Sequence, residues 1–101
     1  MSTHNVIVAA VKCPRCGWTT GKDIEGFVGT GELREYRLGD RIRWADRKSV
    51  RHGGRPPDGT IDAEGYAVCE NCGKDFFLIL HVKNDILSSV EPDVRKPGHI
   101  K

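Results

Sequence analysis

Apolar residues in this chain recur in short runs and in alternation, the spacing of strands, and almost nowhere at helical intervals. Asn5 to Lys12 is β-branched and apolar, and Trp18, Thr19 and Thr20 again favour extended backbone. Phe76-Phe77-Leu78-Ile79-Leu80-His81-Val82 is apolar on both faces, which predicts a strand in the interior of a sheet. Ile61 to Cys69 reads as another strand, and Asn84-Asp85 as a hairpin turn into Ile86 to Val90. Glu32 to Leu38 alternates imperfectly, with Arg34, Tyr36 and Leu38 on one face. Gly39-Asp40 suits a two-residue type II′ turn into Arg41-Ile42-Arg43-Trp44. There Ile42 and Trp44 point one way and Arg41 and Arg43 the other. The fold class expected is all-β.

Glycine and proline divide these strands. Gly21 to Gly31 holds four glycines around Ile24, Phe27 and Val28 and reads as an irregular excursion. Its Gly26-Phe27-Val28-Gly29-Thr30-Gly31 run has no helix after it, so it fails as a phosphate cradle and reads as a bulged turn. Ala45 to Thr60 lacks apolar periodicity, and Arg51 to Gly59 within it has three glycines and two prolines, which predicts a mobile loop over 45–60. Pro92 and Pro97 mark 91–101 as an extended tail after a single domain over 1–90.

Composition then limits what such strands can achieve. The chain has 101 residues, of which 38% are hydrophobic and 7% aromatic. That is one small domain with a thin core, and a metal staple would compensate. The formal net charge is +2, so global charge gives no reason to expect nucleic acid. The charge is unevenly placed, however. Arg41, Arg43, Arg47, Lys48, Arg51 and Arg55 face one acid, Asp46, giving a local +5 over 41–55. This segment could contact phosphates or a partner, or simply be a solvated loop. Only Trp44 in it offers a ring for base stacking, and its spacing from Ile42 assigns it to the core.

The four cysteines carry the chemistry. Cys13-Pro14-Arg15-Cys16-Gly17 and Cys69-Glu70-Asn71-Cys72-Gly73 are matched C-x-x-C-G units. Two intervening residues turn both sulfurs toward one point, and the glycine takes a positive φ without a Cβ penalty. Two such turns supply a closed tetrahedral sulfur set with no position left for water or substrate, a structural and not a catalytic arrangement. Disulfides belong to oxidising compartments. Here the opening residues lack a basic region, and the first apolar run, Val6 to Val11, is six residues long, too short for a signal or a membrane span. A cytoplasmic location without membrane attachment is therefore expected. A thioredoxin-type redox motif would explain one pair, not two. One Zn²⁺ per chain leads, and iron is the rival metal, since soft thiolates suit both.

The knuckles are separated by 52 residues, Gly17 to Val68, against about 15–20 in many ribbon sites. Each doubling of a loop costs only about 0.6 kcal/mol, whereas zinc contributes about 10–16 kcal/mol in finger peptides. The long gap therefore implies strands inserted between the knuckles, not a missing site.

On these two C-x-x-C-G units the chain resembles the zinc-ribbon superfamily, rubredoxin-like folds included. Asn5–Lys12, Trp18–Thr20, Ile61–Val68 and Lys74–Val82 match the two hairpins of such a fold over about half of the chain. Gly21–Thr60 departs from a minimal ribbon. The general shape is also similar to short bacterial ribbon proteins. The resemblance implies structural metal binding but does not select a function, because ribbons serve many. Three readings follow: a non-enzymatic module docking on a protein partner, a nucleic-acid-associated ribbon using the basic segment, and electron transfer through iron. His81 is expected to be a hydrogen-bonded sheet histidine. His4 and His99 look terminal and exposed, and His52 lies in the loop. No catalytic constellation or small-molecule site is legible.

Overall fold

The computed structural model describes residues 4–20, 24–30, 34–45 and 54–98. Among them there is no helix. Eight strands occur: β1 (Asn5–Val8), β2 (Val11–Lys12), β3 (Thr19–Thr20), β4 (Ile24–Phe27), β5 (Glu35–Arg37), β6 (Ile61–Val68), β7 (Asp75–Lys83) and β8 (Ile86–Pro97). Six form one mixed sheet in the order β5-β1-β4-β6-β7-β8, and β2 and β3 form a separate two-stranded ribbon. The all-β expectation holds, and strands do fill the gap between the knuckles.

β7 is interior, as its two apolar faces require. It pairs β6 from Ile61↔Val82 to Val68↔Asp75, and β8 on its other side. Ile7, Ile24, Leu78, Leu80, Val82 and Leu87 are fully buried on the inner face. Tyr36 of β5 joins them, and its hydroxyl accepts the backbone N–H of Arg43 at 2.9 Å. Buried Asn5 donates from Nδ2 to the carbonyls of Val28 and Thr30, at 2.9 and 2.6 Å, and accepts the N–H of Arg34 at 3.1 Å.

Several expectations fail for physical reasons. Gly21–Gly31 is not an irregular excursion throughout: Ile24–Phe27 is a central strand between β1 and β6. Gly26 is a sheet glycine, because a Cβ there would lie 2.6 Å from Ile7 Cγ1. The turning glycine is Gly29, at φ 65. Residues 39–42 do not fold back on Glu32–Leu38 as a hairpin. Asp40 N–H donates to the Arg37 carbonyl at 3.0 Å and Gly39 has φ 94, which puts the glycine third in a type II turn. The chain then pairs beside the β7–β8 turn, with Ile42 N–H on the Asp85 carbonyl at 2.7 Å and Leu87 N–H on the Asp40 carbonyl at 3.0 Å. β5 instead runs parallel to β1.

The Asn84-Asp85 turn is as read: both residues have positive φ, 49 and 70, the type I′ geometry of two-residue hairpins. Residues 91–97, read as a tail, are extended and belong to β8. Four residues, 93–96, stand opposite Phe77 between the Leu78↔Pro92 and Phe76↔Pro97 pairs. This bulge, with prolines at both ends, blunts an edge that could otherwise recruit another chain. For the loop expected over 45–60, residues 46–53 lie outside the described residues. The rest of it is irregular but tied down. The Arg55 guanidinium grips Asp85 through Nε at 2.7 Å and Nη2 at 3.2 Å. Trp44 Nε1 reaches the same carboxylate at 2.7 Å.

The outer face carries an ion cluster across three strands. His81 Nδ1 lies 2.8 Å from Asp62 Oδ1, and Nε2 lies 3.0 Å from Glu91 Oε1. Glu91 first, and Asp62 second, raise the His81 pKa above its ordinary 6.5. A raised histidine adds stability in full below its unfolded value and loses it as pH rises through the folded one. Wild type should therefore lose a small increment, up to about 1 kcal/mol for an exposed cluster, as pH rises above the ordinary histidine value of 6.5, and His81→Gln should not. Melting curves of both proteins from below to above that value measure it, and identical pH profiles would remove the assignment. His4 is not a free terminal residue: it stands 3.9 Å from Glu25 and packs edge-on to Phe27.

Candidate metal centre

Each knuckle caps a hairpin. β2 enters the first and β3 leaves it, with Lys12 paired to Thr19. β6 enters the second and β7 leaves it, with Val68 paired to Asp75. The two turns make the same backbone bonds. Gly17 N–H donates to the Cys13 carbonyl and Gly73 N–H to the Cys69 carbonyl, both at 2.9 Å. Cys13 N–H donates to the Trp18 carbonyl at 2.8 Å, and Cys69 N–H to that of Lys74 at 2.9 Å. Gly17 and Gly73 have φ 81 and 71, the conformation for which the sequence needs glycine.

These turns bring Cys13, Cys16, Cys69 and Cys72 together, with all four sulfurs within 4.8 Å of one another. Cys13 Sγ is 3.9 Å from Cys72 Sγ, and Cys16 Sγ is 3.6 Å from Cys69 Sγ. A tetrahedron of sulfurs about 2.3 Å from a central ion has edges of about 3.8 Å, so the set fits a metal ion. The first cysteine of each pair is buried, while Cys16 is exposed and Cys72 half-buried. Burial pushes the Cys13 thiol up to about 11. Cys16 is held down at about 6, first by the backbone N–H of Trp18 and next by the Asn71 side chain. Cys16 therefore gives up its proton more readily than Cys13, and metal binding must displace whatever protons the four thiols retain.

Sequence reading missed the polar groups around the sulfurs. Asn71 Nδ2 crosses from the second knuckle to Cys16 Sγ at 3.6 Å. Arg15 crosses from the first to Asp75, a fully buried carboxylate whose Oδ2 accepts the Tyr66 hydroxyl at 2.6 Å. That bond is the largest cause raising Tyr66 to about 12. The one signal available was an acid, Asp75, at the head of an apolar strand. Of the basic segment, the described residues Arg41, Arg43 and Arg55 are engaged away from this centre. Arg41 bridges to Ile86, Arg43 bonds Tyr36 and Thr30 through its backbone, and Arg55 holds Asp85. Arg47, Lys48 and Arg51, with His52 and His99, lie outside the described residues.

An open cleft of about 520 Å³ adjoins the first knuckle, between Pro14, Arg15 and Cys16 on one side and Glu91, Pro92 and Val94 on the other. Among the described residues no helix is long and apolar enough to cross a membrane. No protein-family model, no curated protein and no solved structure matches this chain. The class defined by fold and site is therefore a small all-β domain with a four-cysteine cluster that can hold a metal ion.

Proposed function

We propose that this chain is a zinc-ribbon type interaction module, non-enzymatic and cytoplasmic, that holds one Zn²⁺ and docks on a protein partner. The observation that carries the reading is the closed set of four sulfurs at tetrahedral spacing, delivered by two matching knuckles. When bound, the ion supplies folding energy and no chemistry, because no ligand position remains for a substrate. Zinc suits this role better than iron, being redox-inert at a site whose Cys16 meets solvent. Docking is supported by apolar side chains exposed beside the knuckles: Trp18 at 53%, Val68 at 50% and Val94 at 85%. A basic segment acting on nucleic acid has less support, since Arg55 is already engaged by Asp85.

Protein purified without added metal should contain one zinc per chain and be colourless. Stoichiometric iron with visible thiolate-to-iron absorption would replace this reading with electron transfer. At physiological salt no nucleic acid should be retained. Retention that falls about tenfold or more between 50 and 200 mM salt, and that is lost when Arg47, Lys48 and Arg51 are charge-reversed, would favour the nucleic-acid role instead.

A further inference from the structure

We infer that Arg15 is a positioning residue for the metal: it clasps the first knuckle to the exit of the second, so that the four sulfurs are gathered before an ion arrives. This rests on the metal reading above and adds to it a residue that is not a ligand.

Arg15 sits between the two cysteines of its knuckle, and its backbone N–H donates to Cys13 Sγ at 3.4 Å. Its side chain leaves the knuckle altogether. Nη1 donates to the backbone carbonyl of Asp75 at 3.1 Å and lies 3.8 Å from the carboxylate Oδ1. Asp75 is the first residue of β7, three positions after Cys72, and is completely buried. Its position is fixed from three sides. Val68 pairs with it across the hairpin, Tyr66 bonds its carboxylate, and Gly98 lies so near that a Cβ there would collide with the Asp75 carbonyl and Oδ1. Arg15 is therefore anchored on one of the least movable points of the second hairpin.

The backbone bonds described for the knuckles close each turn on itself; Arg15 and Asn71 reach across. Of the two, Asn71 bonds a ligand sulfur, whereas Arg15 bonds the protein frame. Charge argues the same way. Four thiolates and a divalent ion leave a net −2, beside a buried carboxylate. The Arg15 guanidinium, 3.8 Å from that carboxylate and carried by the first knuckle, offsets part of the repulsion that would otherwise oppose closing the site. Holding ligands in place beforehand lowers the ordering cost of binding, and partners that orient ligands typically change metal affinity about 10- to 100-fold when removed.

The test is chelator-competition titration of the full chain with Zn²⁺ and with Co²⁺. Arg15→Met should weaken metal binding about 10- to 100-fold, while the Co²⁺-thiolate absorption keeps its wild-type shape because the ligands are unchanged. Arg15→Lys keeps the charge and one donor but not the planar fork, and should recover part of the loss. Tyr66→Phe removes the hydroxyl that donates to the Asp75 carboxylate, whereas the backbone carbonyl that Arg15 grips stays held by the β6–β7 pairing. This variant should lower the unfolding midpoint with metal affinity changed by less than about threefold, the margin that separates it from a ligand-orienting loss. Wild-type affinity in Arg15→Met, or an equal loss in Tyr66→Phe, would overturn the inference while leaving the metal reading intact. A wild type that takes up neither ion would overturn both.

Discussion

Cys69→Ser should release the metal and loosen the entire chain, not one knuckle alone. Cys69 is fully buried and belongs to the same apolar cluster as Cys13, Ala67, Phe76 and Leu78. Structural zinc contributes about 10–16 kcal/mol in finger peptides, comparable with the whole stability of an ordinary domain, about 5–15 kcal/mol. Three thiolates hold the ion less tightly, and the new hydroxyl has no thiolate charge to offer. A loss of several kcal/mol is expected. The variant should purify with less than one metal per chain and show a broad, early melt by circular dichroism. Chelation of the wild type should reproduce that melt. A variant with unchanged metal content and melting would remove Cys69 from the site.

The four-cysteine cluster and the all-β class were legible because both rest on local rules. C-x-x-C-G fixes a turn within five residues, and β7 announces itself by seven apolar-rich positions in a row. What sequence could not supply was partnership over distance. Ile24–Phe27 looks like a glycine-rich turn until Ile7 and Leu80 are seen to occupy the space a side chain at Gly26 would need. Gly39 was read one position early in its turn, because the residues after it pair with Asp85 and Leu87 and not with their neighbours. Arg15 and Asp75, 60 positions apart, carry no common motif. Residues 91–97 look like a tail because prolines end ladders, yet here the prolines frame a bulge in β8.

The glycines also set the second large effect expected. Leu80→Ala should cost about 4 kcal/mol, toward the upper end of the range of about 2–5 kcal/mol for such truncations. Leu80 is fully buried and sits over Gly26 and Gly65, which face each other across β4 and β6. A Cβ on Gly26 would come 3.2 Å from Leu80 Cδ1, and one on Gly65 would come 3.1 Å from Leu80 Cδ2. The floor beneath the leucine is thus bare backbone, hydrogen-bonded in its ladder. Neither glycine can offer a side chain to fill the hole, so collapse depends on Ile7, itself fully buried over Gly26, and most of the cavity cost should remain. Metal content should stay at one ion per chain, since the knuckles are closed by their own backbone bonds. Urea unfolding with metal present measures the loss, and a value under about 1 kcal/mol, below that range, would show that the floor does collapse. The same geometry predicts a partial rescue. With Leu80 shortened, the remaining neighbours of a Cβ on Gly65 are Leu78 Cβ at 3.3 Å and the Glu25 carbonyl at 3.4 Å, tight but tolerable. Gly65→Ala should therefore destabilise the wild type but restore about 1 kcal/mol in Leu80→Ala, by filling part of the void and stiffening the strand. That reversal of sign is the signature of leucine packed on glycine, and two independent losses that simply add would rule it out.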